Sequence, residues 1–236
     1  MSAAGESVFA RLKAESADEW TAYVEHAFVR RLAEGSLPEA CYRHYLIQDY
    51  LFLVHFARAY ALAVYKAGEL EDMRRAASTL DALLNTEMGL HVRSCAAWGL
   101  SEADMAAVPE ADANLAYTRF VLDTGMAGDF LDLLVALAPC VLGYGEIGAR
   151  LLNDPTTVLD GNPYREWIET YGGADYQEAA AAAGAQLERV ARNRLGAEPA
   201  QAPRWDSLSR TFRTATRLEV GFWAMGLTPS AAADRT

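Results

Sequence analysis

The sequence predicts an all-α protein folded as a single domain of about seven main helices. Three observations carry that expectation. Apolar residues recur at helical spacing along almost the whole chain, and no stretch alternates polar and apolar residues as a half-buried strand would. The 236 residues include only 8 prolines and are rich in Ala, Leu, Glu and Arg, which favour helices. A chain of this length buries a substantial core, and with 52% hydrophobic and 22% charged residues it has a globular composition.

The elements follow in order. Phe9, Leu12, Trp20, Tyr23, Val24, Phe28 and Leu32 mark a first helix over 6–33, and Gly35 stops it. Pro38 opens a second helix, which reaches to about Ala67. Its apolar face reads Tyr42, Tyr45, Leu46, Asp49, Phe52, Leu53, Phe56 and Tyr60. A third helix covers Leu70 to Trp98 and is ended by Gly99, and a short turn of helix begins at Ser101. Pro109 starts a fourth, which Gly125 and Gly128 separate from a strongly apolar fifth helix over 130–152. Pro139 lies inside that helix, where it removes a hydrogen bond and crowds the carbonyl of Val135, so a kink is expected. A short helix over 164–171, an alanine-rich helix over 175–195 and a last helix from Trp205 to Met225 complete the chain. Residues 229–236 have little to pack and are expected to fray.

The net charge of −11 excludes the positive footprint that nucleic-acid binding requires. The two longest uncharged stretches fall short of the roughly 20 residues that span a bilayer. No basic region followed by an apolar run opens the sequence, and the three widely spaced cysteines Cys41, Cys95 and Cys140 form no metal motif. A cytoplasmic protein with reduced thiols, no membrane partner and no bound metal or cofactor is expected.

Three positions are out of keeping with a purely structural pattern. Asp49 sits in the middle of an aromatic stripe, where a buried carboxylate is costly unless paired or protonated. Glu219 repeats that arrangement on the last helix, among Leu208, Phe212, Ala215, Phe222 and Trp223. Cys140 follows the helix-bending proline and has Tyr144 one turn away on the same face. Each admits a structural reading: a hydrogen-bonded acid, or a thiol acting as a small core hydrophobe. Glu87 and His91 have the spacing of half a metal site, but no second such pair completes it.

The blocks 23–29 (Tyr-Val-Glu-His-Ala-Phe-Val), Gly35-Ser36-Leu37-Pro38, 45–50 (Tyr-Leu-Ile-Gln-Asp-Tyr) and 56–61 (Phe-Ala-Arg-Ala-Tyr-Ala) resemble the TenA/thiaminase II family. So do Pro139-Cys140 with Tyr144, 167–171 (Trp-Ile-Glu-Thr-Tyr), and Glu219 with Phe222-Trp223. The resemblance covers nearly the whole chain. It implies a haem-oxygenase-like fold, commonly a homotetramer, and hydrolysis of aminopyrimidines or thiamin in thiamin salvage. Under it, Cys140 corresponds to the nucleophile, Glu219 to the acid/base, and Asp49 to the carboxylate that binds the pyrimidine's ring nitrogen and amino group. Phe52, Tyr117, Tyr144 and Tyr171 fall where family aromatics line the pocket. Two departures stand out: Ala27 replaces a proline that often follows the histidine, and Leu51-Phe52 replaces a tyrosine-rich pair. Two other readings remain: a haem- or iron-dependent oxidase using His26 or the Glu87/His91 pair, and a non-catalytic pyrimidine-binding regulator.

Overall fold

The computed structural model describes residues 6–229, which form twelve α-helices, one π-helical turn and one 3₁₀ turn, with no strand among the described residues. They divide into two compact units, one of residues 6–36 and 134–220, the other of residues 37–133 and 221–229. The frayed tail expected from residue 229 lies, from residue 230 on, outside the described residues.

In the first unit, the single helix expected over 6–33 is instead three: α1 (Val8–Glu15), α2 (Ala17–Val24) and α3 (Ala27–Ala33). A polar residue marks each break. Ser16 leaves helical geometry at φ −124° and ψ 32°. His26 takes extended backbone, and its Nδ1 accepts the Phe28 N–H at 3.2 Å, capping α3 in place of the lost helical bonds. The apolar spacing continues through both breaks, so it reports the buried face and not the interruptions.

The rest of this unit comes from most of α9 (Phe130–Asn153), α10 (Arg165–Gly172), α11 (Ala174–Leu195) and most of α12 (Trp205–Gly226); residues 130–133 and 221–226 belong to the second unit. Trp20 stacks on Phe212 at 5.7 Å between ring centres, and Phe9 meets Trp20 edge-on at 5.4 Å. Glu15 ties α1 to α12, accepting hydrogen bonds from Trp205 Nε1 at 3.0 Å and Ser209 Oγ at 2.7 Å.

Helix α9 runs through Pro139 without a break. It is long and apolar enough to cross a membrane, but 72% of its most apolar stretch is buried. Glycines let its neighbours approach closely. A Cβ on Gly143 would lie 2.3 Å from a ring carbon of Tyr23, whose hydroxyl donates to the Pro139 carbonyl at 3.3 Å. A Cβ on Gly148 would lie 2.3 Å from the carbonyl carbon of Tyr171, so α9 and α10 touch backbone to backbone.

The second unit is built on α4 (Glu39–Lys66), whose 28 residues present the predicted stripe: Tyr45, Asp49, Phe52, Leu53, Phe56 and Tyr60 are all buried. Around it lie α5 (Leu70–Ala82), a π-helical turn (Leu83–Glu87), α6 (Met88–Ala96), α7 (Glu102–Ala107) and α8 (Asp112–Ala127). The third predicted helix is thus interrupted by the π turn, in which the Met88 N–H reaches back five residues to the Leu83 carbonyl. Gly125 does not end the fourth helix as expected; it lies inside α8, where a Cβ would come within 2.9 Å of Leu62 and Leu133. Gln48 joins α4 to the start of α8. Its Nε2 donates to the Pro109 carbonyl at 3.0 Å, and its Oε1 accepts from Ala111 N at 2.9 Å and Asn114 Nδ2 at 3.1 Å.

The close contact at Gly148 sets an expectation. Gly148→Ala forces backbone against backbone and should destabilise the protein by about 2–4 kcal/mol. Gly221 lies in α12, and a Cβ added there would meet nothing within 4 Å, so Gly221→Ala should raise stability by about 0.5–1 kcal/mol. Denaturant midpoints check both, and an unchanged midpoint for Gly148→Ala contradicts the packing described.

Candidate functional site

Asp49 is 4% exposed in the middle of α4. Its Oδ2 accepts the Tyr45 hydroxyl at 3.3 Å and meets His91 Nε2, on α6, at 2.6 Å. Oδ1 has no hydrogen-bond partner among the described residues. His91 is itself 5% exposed, and its Nδ1 lies 3.0 Å from the backbone carbonyl of Glu87. The Glu87/His91 spacing therefore makes a ring-to-backbone bond and not half of a metal site. Burial on its own favours neutral imidazole, but the hydrogen bond and charge of Asp49, with Glu87, hold the His91 pKa above its ordinary value.

An aromatic wall accompanies this carboxylate. Phe52 lies one turn from Asp49 on α4, with its ring centre 5.2 Å from Tyr117 of α8, 5.0 Å from Phe56 and 5.4 Å from Phe222. Trp223 lies 5.4 Å from Tyr45. The fold thus brings together three of the sequence-predicted positions, Asp49, Phe52 and Tyr117, and adds His91 and Tyr45. A flat heterocycle suits such surroundings, because aromatic faces stack on it and a carboxylate oxygen accepts its amino hydrogens.

The first unit carries the other predicted positions. Tyr144 and Tyr171 meet at 4.9 Å between ring centres, with Trp167 5.8 Å from Tyr144 and 4.6 Å from Tyr171. The glycine contact between α9 and α10 makes that proximity possible. Cys140 stands one turn before Tyr144 on α9 and is half-buried. Carbonyls on either side of it take side-chain hydrogen bonds: Pro139 from Tyr23, Val141 from Tyr176 at 3.2 Å, and Gly145 from Gln177 at 2.9 Å. Those bonds fix the backbone that carries the thiol. Glu219 is 1% exposed on α12, a buried carboxylate as its place in the apolar stripe predicts.

The remaining candidates have structural places. Cys41 is buried, with its sulfur 3.6 Å from the Leu227 carbonyl, and Cys95 is fully buried. Burial pushes the Cys95 thiol up to about 11, which leaves it inert at neutral pH. Burial, with the charge of Arg30 adding to it, lowers the His26 pKa, consistent with the unprotonated Nδ1 that caps α3. Among the described residues, no group of three or more His, Cys, Asp or Glu is arranged to hold a metal ion.

An all-α protein with buried acids and aromatic clusters on its long helices is the class that fold and site define, and comparison with known proteins places it. The fold is haem-oxygenase-like: a Shewanella denitrificans domain described as having that fold matches 92% of this chain at a TM-score of 0.68 and 15% identity, a likeness of fold alone. The chain belongs to the TENA/THI-4/PQQC family, whose model matches residues 14–228. A solved structure of a TenA family transcription regulator from Silicibacter sp. TM1040 is 53% identical, with a TM-score of 0.89 over 94% of this chain and 96% of that one. An uncharacterized protein of Haemophilus influenzae is 41% identical over 88% of this chain and 93% of its own length. An aminopyrimidine aminohydrolase of Halalkalibacterium halodurans is 34% identical over 87% of this chain and 89% of its own.

The burial contrast among the thiols makes a direct prediction. Iodoacetamide at neutral pH should alkylate Cys140 in the native protein well before Cys95, with the sites read by peptide mass spectrometry. Labelling of Cys95 first would contradict the environments described.

Proposed function

We propose that this protein is an aminopyrimidine aminohydrolase acting in thiamin salvage. The observation that carries the reading is a buried carboxylate, with one oxygen unengaged among the described residues, beside an aromatic wall, in a chain whose relatives include aminopyrimidine aminohydrolases. In this reading Asp49 binds the ring nitrogen and amino group, and Phe52, Tyr117, Tyr144 and Tyr171 enclose the ring. The Cys140 thiolate adds to the electron-poor ring, and the electron pair displaced through the ring expels the exocyclic amine. Glu219 delivers the proton that the departing amine requires. Water then adds where the amine left, its proton returns to Glu219, and the carbon–sulfur bond breaks to free the hydroxymethylpyrimidine. The net change is aminomethylpyrimidine plus water to hydroxymethylpyrimidine plus ammonia. No basic side chain lies near Cys140 along α9; Arg150, the first to follow, donates to the Val24 carbonyl. Thiol activation is therefore assigned to proton removal by Glu219 or to ring protonation through Asp49. A homotetramer in the cytoplasm, with no metal and no organic cofactor, completes the proposal.

A second reading, a pyrimidine-binding protein without activity, is favoured by the description of the Silicibacter relative as a transcription regulator. One experiment separates them: ammonia and pyrimidine product followed with thiamin, aminomethyl-aminopyrimidine and formylaminopyrimidine as substrates. The hydrolase reading predicts release from at least one of them, whereas tight pyrimidine binding without any release establishes the regulator.

Three substitutions test the roles. Cys140→Ser should stay folded, bind product and lose roughly a thousandfold or more in rate, while Cys41→Ser and Cys95→Ser stay near the parent. Glu219→Gln should lower turnover far more than product affinity, because its contribution belongs to the transition state. Asp49→Asn should weaken product binding by about tenfold to a hundredfold, the worth of a hydrogen bond to a charged group. A Cys140→Ser protein that hydrolyses at the parent rate would rule out the covalent route.

A further inference from the structure

The Asp49–His91 contact has a proton count that geometry settles. The Glu87 carbonyl can only accept, so His91 Nδ1 carries a hydrogen. The 2.6 Å contact between Nε2 and Asp49 Oδ2 then needs one more hydrogen between two atoms that are otherwise both acceptors. Asp49 and His91 therefore hold one proton jointly, as imidazolium with carboxylate or as imidazole with carboxylic acid.

We propose that His91 is a positioning residue for the pyrimidine-binding carboxylate: its imidazolium, anchored to the Glu87 carbonyl, holds Asp49 with Oδ2 turned to His91 and Tyr45 and Oδ1 left to receive the ligand's amino group. This rests on the reading of Asp49 given above and extends it to His91. The ligand class is a heterocycle edge that presents an N–H donor to Oδ1. An oxo group in the amino position would instead set an acceptor against a carboxylate oxygen, and such an analogue is rejected. The π turn belongs to the same device. Its extra residue advances everything after Glu87 by about 100° around the helix axis, and so sets the face on which His91 stands.

The titratable groups that face His91 are Asp49 from α4 and Glu87 from the π turn, and Tyr45 of α4 reaches Asp49. Both acids favour the charged ring against the effect of burial, so the imidazolium persists above the ordinary histidine range. His91 accordingly supports ligand binding fully at lower pH, and that support is lost as pH rises through its raised pKa.

The test uses the intact protein and the hydroxymethylpyrimidine product. In ¹⁵N-histidine-labelled wild type, the His91 ring, assigned by its disappearance in His91→Gln, should show both nitrogens protonated at pH 7. Product affinity measured by calorimetry should fall by about tenfold in all as pH rises through the His91 titration, and then level off. In His91→Gln, whose amide can still donate to Asp49 but carries no charge, affinity should be about tenfold lower at neutral pH and should lack that alkaline decline. A singly protonated His91 ring at pH 7 overturns the proposal even if His91→Gln fails to fold, and an unchanged alkaline decline in the variant overturns it too. If Asp49→Asn binds product as the parent does, the underlying reading of Asp49 fails as well. If Asp49→Asn weakens binding while His91→Gln keeps the parent's pH profile, only the role of His91 falls.

Discussion

A carboxylate sealed into the apolar face of α4 constrains what must surround it. Left alone, a buried charge of this kind is untenable, and removing one partner of a buried pair costs about 3–5 kcal/mol. Asp49 is held by a 2.6 Å contact to His91, which is in turn anchored to the Glu87 carbonyl. That pairing requires α6 to present a histidine to the middle of α4, and the π turn before α6 sets the face on which it does so. The Gln48 clamp fastens the start of α8 one residue away along the same helix, which brings Tyr117 to Phe52. Within this unit, the placing of His91 answers to the buried acid, and the Gln48 clamp sets the aromatic wall beside it.

The other unit shows a different device, close approach through missing side chains. Gly143 admits the Tyr23 ring and Gly148 admits the backbone of α10, so α9 is gripped along the turns that carry Cys140 and Tyr144. The hydrogen bonds to the Pro139, Val141 and Gly145 carbonyls add to that grip. A rigid support is what a nucleophile needs, since reacting groups misplaced by even an ångström lose much of their rate.

Much of this is legible in the sequence because helical spacing reports burial faithfully. Asp49 and Glu219 stand out as acids in apolar stripes, and both are buried. The starts of α4, α11 and α12 follow from Pro38, from Gly172-Gly173, and from the linker prolines Pro199 and Pro203. The breaks at Ser16 and His26 are hidden, since a polar residue at a helix break looks like any other polar residue within a helical pattern. Gly125 reads as a terminator because sequence does not show the two leucines that leave no room for a side chain. The partnership of His91 with Asp49 joins residues 42 apart on different helices, and no local spacing encodes it. Its only sign is a histidine on an apolar stretch, which the Glu87 spacing explains differently.

Recognition of the pyrimidine, in the function proposed, rests on Asp49. A crystal structure of this protein with hydroxymethylpyrimidine bound measures that most directly. The ring's amino group is expected on Asp49 Oδ1, its face against the aromatic wall of Phe52 and Tyr117, and His91 still on Oδ2. A ring seated away from Asp49, with that carboxylate and its histidine untouched, would contradict that role.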